Sequence, residues 1–378
     1  MNQTAVYLAL ILNETDAVPA SGVARRCSGK PPSSTHLFHS REKTMKAIEL
    51  TAPALTAFRQ TELPDPKAGR GEVLVRLRAA TLNFVDVAIA TGHFPGARFP
   101  LIPVADGAGE IAALGEGVAD LAVGDRVIPH FMPHWQGGAI TARNVAAMRG
   151  VTLPGSLADY VVIPATSLVA LPAHLDFVEG AALPIAATTA WNAVRSASVR
   201  PGSFVLLLGT GGVSIFALQF AKACGATVIL ASSSDEKLER ARQLGADHLI
   251  NYRATPAWDE AVLKITEGRG VDLVVETVGA ASMARSLNAA AVGGTVFTVG
   301  FVTGTASAID LLPIIVKALR VVGNNTGAVA DLAEAARAIA AHRIVPVIDR
   351  VFHPDDTGAA YAALGAGGRH FGKLAIAH

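Results

Sequence analysis

Six residues, Gly209-Thr210-Gly211-Gly212-Val213-Ser214, directly follow the apolar run Phe204 to Leu208 and open a helix-spaced stretch that ends near Cys224. Glycines let a backbone approach a ligand closely, and a helix starting near Val213 presents free N–H groups at the positive end of its dipole. Strand, glycine turn and helix in that order form the place where a parallel sheet rests the diphosphate of a dinucleotide. Ser214 stands where a third glycine is usual, and it is small enough to keep helix and strand close. The end of the next strand discriminates between coenzymes, because an NAD site wants a carboxylate there for the ribose 2′-hydroxyl. Here Ile229-Leu230-Ala231 runs into Ser232-Ser233-Ser234, with no acid before Asp235 and with Lys237 close behind. Neutral donors and one cation suit a 2′-phosphate, so this end of the site reads as built for NADPH. The same serines also suit the N-cap of the helix at Asp235.

Those residues need a sheet to hold them. Strand and helix patterns alternate after Pro172: strands at Phe204–Leu208, Thr227–Ala231, His248–Ile250, Val271–Glu276 and Gly294–Val299, each separated by a helical run. That rhythm predicts a doubly wound parallel sheet covered on both faces. Before it, Glu72 to Arg78 alternates with period two, and short strands with glycine turns continue through Gly107–Leu114 and Gly124–Ile128. This density predicts a compact β-barrel-like domain. Short strands return near Val345 and finish at Lys373–Ile376, so the β domain is expected to be discontinuous, spanning 45–170 and 316–378 around an α/β domain at 171–315. Residues 1–44 lack sustained periodicity and read as a disordered extension, or as sequence upstream of a start at Met45.

Composition excludes several classes. Hydrophobic residues make up 51% and charged residues 17% of the 378, which argues against a disordered polyelectrolyte. A net charge of +1 without a basic cluster argues against a nucleic-acid partner. Two cysteines cannot build a disulfide scaffold or a multi-cysteine zinc site. The apolar run Ala5–Leu12 is too short to span a bilayer. A cytoplasmic globular protein without a membrane partner is the expectation.

The glycine loop, Leu244-Gly245-Ala246-Asp247, Ile250-Asn251-Tyr252-Arg253 and Val275-Glu276-Thr277-Val278-Gly279 together resemble the medium-chain dehydrogenase/reductase superfamily. So do Asn83-Phe84-Val85-Asp86, Gly124-Asp125-Arg126-Val127 and Phe371-Gly372-Lys373. The similarity runs from about Met45 to the C-terminus and is greatest to zinc-independent members, the quinone oxidoreductase-like and metal-free alcohol dehydrogenase-like groups. It implies an α/β architecture: a discontinuous GroES-like catalytic domain of β-barrel type, a Rossmann domain, and a cleft between them for cofactor and substrate. By position it implies Thr189 against the nicotinamide, and Gly300-Phe301 as the loop above it. Lys237 and Tyr252 would meet the adenosine phosphate end, and Lys373 the cofactor from the returning C-terminal segment. Tyr252 packing under a sheet edge and Lys373 as a solvated strand residue are the plainer alternatives.

Zinc-dependent relatives hold their metal with a cysteine, a Gly-His-Glu histidine and a second cysteine or acid. Those positions here are Asn83, Ala105 and Ile185, which do not supply the donors that tetrahedral zinc takes, so no metal is expected. His130 and His134 lie four apart, yet Pro129, Pro133 and Gly137-Gly138 mark a loop. Without a metal, hydride transfer to a quinone or enone is favoured, since the resulting charge is delocalised and can be held by hydrogen bonds alone. Phenylalanine in Gly92-His93-Phe94-Pro95 replaces the tyrosine of some enoyl reductases. Asn83, as an amide donor, and Asp86, as an orienting group or helix cap, are the catalytic candidates.

These readings converge on an NADPH-dependent, zinc-independent oxidoreductase acting on a quinone, enone or other small hydrophobic carbonyl compound. A metal-free NADP-dependent alcohol dehydrogenase or carbonyl reductase is the runner-up. A non-catalytic NADPH-binding structural or redox-sensing protein is the rival from another class. The resemblance also implies a homodimer, for which the apolar stretch Ile309–Val316 is the expected contact.

Overall fold

The computed structural model describes residues 43–377. The expected extension falls on residues outside these, apart from its last two positions, and Thr44 already belongs to a strand. The N-terminal part carries β1 (Thr44–Leu50), β2 (Phe58–Pro64), β3 (Glu72–Thr81), β4 (Asp106–Leu114), β5 (Arg126–Pro129), β6 (Tyr160–Pro164) and β7 (Leu168–Ala170). The central part carries β8 (Phe204–Leu208), β9 (Thr227–Ser232), β10 (His248–Asn251), β11 (Val271–Glu276), β12 (Ala290–Thr298) and β13 (Arg320–Gly323). The chain closes with β14 (Ile348–Phe352) and β15 (Lys373–Ala377).

Period-two patterning decides the first sheet. In β3, Val73, Val75 and Leu77 are buried while Arg76 is exposed. The sheet order is β14-β15-β3-β4-β5-β7, with β6 also on β3, and the C-terminal β15 pairs antiparallel with β3 at Ala375↔Thr81. The catalytic-type β domain is thus closed by the far end of the chain. β8 is apolar on both faces and β11 is largely buried on both, the mark of strands covered by helices on either side. They sit at the centre of a parallel sheet ordered β10-β9-β8-β11-β12-β13. Strand order reverses between β8 and β11, which opens a crevice beyond their C-terminal ends.

The boundary expected at 315/316 is one strand too early. β13 pairs in parallel with β12 at Thr295↔Arg320, so the crossing back to the β domain follows Gly323. Arg320-Val321-Val322-Gly323 is a four-residue edge strand with mostly exposed side chains, and it lacks the apolar run that marks a buried strand. No helix among the described residues is long and apolar enough to cross a membrane.

Candidate active site

The glycine loop lies at the crevice. Gly209 has φ +76°, and a Cβ there would meet nothing within 4 Å, so the loop presents open backbone in a conformation that favours glycine. The helix Gly212–Ala223 begins at once, with Gly211 as its N-cap, and Gly211, Gly212 and Val213 are all partly exposed. Ser214 is 1% exposed and donates its hydroxyl to the Leu208 carbonyl at 2.8 Å, tying helix to strand as a third glycine would allow. Across the switch point, Thr277 Oγ1 donates to the same Leu208 oxygen at 2.6 Å. This cradle fits a dinucleotide diphosphate: free N–H groups, no side chain over Gly209, and a helix dipole behind.

The C-terminal segment before β15 lies against the loop. Gly372 N donates to Thr210 O at 2.8 Å, and the His370 Nε2 atom is 3.9 Å from where a Gly211 Cβ would stand. Burial, with the neighbouring Lys237 cation, lowers the His370 imidazole below its usual range. Lys237 anchors this strap: its buried ammonium donates to the carbonyls of Gly368 and His370, the latter at 2.8 Å. The Lys237 ammonium is thus engaged by two carbonyls of the strap. Ser234 accepts from Lys237 N and caps the helix Asp235–Gln243. Ser232 is 4% exposed at the end of β9, Ser233 is half-buried, and Tyr252 is exposed just beyond β10.

Thr189 is 2% exposed in the helix Thr188–Ser196. Gly300 follows β12 so closely against the β11 loop that a Cβ would lie 1.8 Å from Thr277 O, a position only glycine can fill. The next residue, Phe301, packs edge-on to Phe84 with ring centroids 5.2 Å apart, joining the Rossmann part to the β domain. Glu276 at the end of β11 organises this loop by accepting from Val278 N, Gly279 N, Ser282 Oγ and Ser286 Oγ.

Beside Phe84, Asn83 is half-buried in a polar cluster. Its Nδ2 donates to Asp106 Oδ2 at 2.8 Å, and its Oδ1 accepts from Lys373 Nζ at 2.6 Å. Lys373 also donates to Leu82 O at 2.7 Å and lies 3.6 Å from Asp106 Oδ2. The Lys373 stem runs beneath the loop, 2.5 Å from where a Gly212 Cβ would be, but its ammonium is aimed at Asn83 and not into the cradle. Burial drives the Lys373 ammonium down and the Asp106 carboxyl up, and each restrains the other. Asp86 caps the short helix Phe84–Ala90 through Asn83 N at 2.7 Å, and burial with Asp106 nearby raises it to about 7. Asp86 is 2% exposed and holds Asn83 in place. Arg149, 1% exposed, donates to Ala105 O at 3.1 Å and to Ser156 Oγ at 2.9 Å, fixing the turn that delivers Asp106.

The three positions that would carry zinc do converge. Asn83 bonds Asp106, Ala105 precedes it, and the backbone of Ile185 faces it. They offer one amide and two apolar side chains, a poor donor set for zinc. Among the described residues no group of three or more His, Cys, Asp or Glu could hold a metal ion. His130 is fully buried and His134 exposed, so these two do not form a pair. Sequence reasoning missed Asp106, Arg149 and His370. The acid directly after Ala105 was the available signal for Asp106; nothing local marks the other two.

A family model described as an alcohol dehydrogenase GroES-like domain matches residues 69–173, and one described as a zinc-binding dehydrogenase matches 212–341. A zinc-type alcohol dehydrogenase-like protein of Schizosaccharomyces pombe is 42% identical over 308 residues, covering 79% of this chain and 89% of the relative. An acryloyl-coenzyme A reductase of Sulfurisphaera tokodaii is 31% identical over 313 residues, covering 80% and 91%. The solved structure of an NAD-dependent alcohol dehydrogenase superposes with TM-score 0.80 at 32% identity, covering 88% of this chain and all of that one. With a GroES-like β domain closed by its own C-terminus and a dinucleotide cradle at the switch point, the chain belongs to the medium-chain dehydrogenase/reductase superfamily of nicotinamide-dependent oxidoreductases.

Proposed function

We propose that this protein is a zinc-independent, NADPH-dependent reductase of quinones, enones or other small hydrophobic carbonyl compounds. The observation that carries the reading is the Asn83 amide: Nδ2 has two hydrogens and gives one to Asp106, leaving the other for a substrate oxygen. Bound nicotinamide would supply the hydride. The Gly209–Val213 backbone would hold the diphosphate, Thr189 and the Gly300-Phe301 loop would enclose the ring, and the Phe84–Phe301 contact would help to screen the cleft from water. One amide donor suffices for a delocalised enolate or phenolate oxygen, whereas a localised alkoxide asks for more. We assign the completing proton to solvent, because Asp86 and Asp106 are both turned into the interior. Serine hydroxyls at the end of β9, with no carboxylate among them, support the phosphorylated coenzyme.

The names of the alcohol dehydrogenase relatives favour a second reading, a metal-free carbonyl reductase or alcohol dehydrogenase on the same scaffold. An acceptor panel with NADPH and a chelator separates the readings by loss of reduced-nicotinamide absorbance. Turnover of a simple quinone or enone above that of a simple ketone supports the first, and the reverse order supports the second. Tight NADPH binding with no turnover across the panel would instead indicate a non-catalytic binding protein. We also propose a homodimer joined along the β13 edge. Leu311, Leu312, Ile315 and Val316 beside that edge are 60–71% exposed in the single chain.

A further inference from the structure

The site carries a cation of its own. Lys373, Asn83 and Asp106 come from segments far apart in sequence and form a closed ring. Lys373 donates to Asn83 Oδ1, Asn83 Nδ2 donates to Asp106 Oδ2, and Asp106 faces Lys373 at 3.6 Å. All three acceptors around Lys373 Nζ are oxygens: Leu82 O, Asn83 Oδ1 and Asp106 Oδ2. Leu82 O and Asn83 Oδ1 are within hydrogen-bond distance and the Asp106 carboxyl faces the nitrogen as an ion-pair partner, a surrounding that suits an ammonium. The side chain is 3% exposed and Asp106 is fully buried, so neither charge is free to be replaced by solvent. The ring stands at Asn83, Ala105 and Ile185, the positions to which the family resemblance assigns a catalytic metal.

We propose that the buried Lys373 ammonium is the permanent cation of this site and a positioning residue for Asn83, taking over by hydrogen bonding what a metal does by ligation. The inference rests on the reductase reading for its consequence in turnover. A charge-assisted bond to Oδ1 fixes the amide with its NH2 group away from Lys373, so the orientation of the donor is not left to chance. The same bond draws electron density from the amide and strengthens its free N–H as a donor toward an oxygen gaining charge. Asp106 has two roles here: it balances the ammonium and takes up one Nδ2 hydrogen, leaving one defined N–H for the substrate. Because the Lys373 stem lies against Gly212, the returning strand also couples the donor to the cofactor loop.

The charged and titratable groups around the ring are Asp86, Asp106, Arg149, Tyr361 and His370. Removal of Lys373 alone leaves Asp106 facing only Arg149, whereas removal of both partners leaves no orphan charge. The test compares wild type, Lys373→Met and the double variant Lys373→Met/Asp106→Asn in three measurements. These are thermal unfolding from pH 5.5 to 8.5, NADPH affinity by fluorescence, and kcat and KM for whichever acceptor wild type turns over. The proposal expects K373M to lose stability with rising pH more steeply than wild type, whose own fall comes from Asp86, and the double variant to regain stability and to bind NADPH within about threefold of wild type. It expects kcat in the double variant to stay at least about a hundredfold down, with KM little changed. Wild-type kcat in the double variant would overturn the proposal, as would a loss of NADPH affinity large enough to account for the whole loss of activity. If wild type reduces no acceptor, the reductase reading fails by itself. The ion-pair claim then stands or falls on whether K373M loses stability with rising pH more steeply than the double variant, in which the Asp86 contribution is shared.

Discussion

Lys237 separates two accounts of the cofactor site. Read from sequence, it neutralises a 2′-phosphate; in the fold, its ammonium holds the carbonyls of Gly368 and His370 and pins the strap onto the glycine loop. Lys237→Met removes both bonds while keeping the buried stem. Hydrogen bonds to a charged group contribute about 1.5–3 kcal/mol each. Gly368 is exposed and His370 half-buried, so the freed carbonyls can in part turn to water, and a net loss of about 2 kcal/mol is expected. The strap reaches the loop through Gly372 N to Thr210 O, so weakening it opens the diphosphate cradle to either coenzyme. K237M should therefore weaken NADPH and NADH together, each by roughly tenfold or more, equal to about 1.4 kcal/mol. Urea unfolding and fluorescence titration with both coenzymes read these effects. A tenfold loss confined to NADPH, with stability unchanged, would refute the strap and restore the phosphate contact.

Asp86, raised to about 7, makes stability pH-dependent with a definite sign. Between its unfolded value near 4 and about 7 the folded state alone holds the proton, so stability falls as pH rises through that window and levels off above it. Thermal midpoints measured at pH 5 and 8 should show this fall in wild type and a smaller one in Asp86→Asn. Gly212→Ala places a methyl 2.5 Å from the Lys373 stem, whose end is anchored and cannot swing aside. It should cost about 1–3 kcal/mol by chemical denaturation and lower turnover by about tenfold, and wild-type values for both would refute that packing. Light scattering should give a dimer for wild type and a monomer for Ile315→Asp; a wild-type monomer at micromolar concentration would remove the β13 contact.

Legibility followed sequence distance. The glycine loop could be read because strand, turn and helix are contiguous, and Ser214 works there through a carbonyl only six residues away. The alternation in β3 and the two-faced apolar run of β8 likewise carry their own burial. β13 escaped because a four-residue exposed edge strand has no such signature. Lys237 was legible as a cation near β9 but its carbonyl partners were not, since they lie 131 and 133 residues further on. Asn83 was legible as an amide near the cleft. The ring that orients it was not, because Lys373 reaches it across 290 residues through the pairing of β15 with β3.

The central claim is that an amide and an internal ammonium do here what a bound metal would do at the same position. Metal analysis of the purified protein alongside its turnover, before and after dialysis against a chelator, tests this directly. The account predicts that NADPH-driven reduction of the best acceptor persists unchanged in protein with far less than one transition-metal ion per chain. Activity that vanishes with the chelator and returns in proportion to zinc, up to one ion per chain, would contradict it.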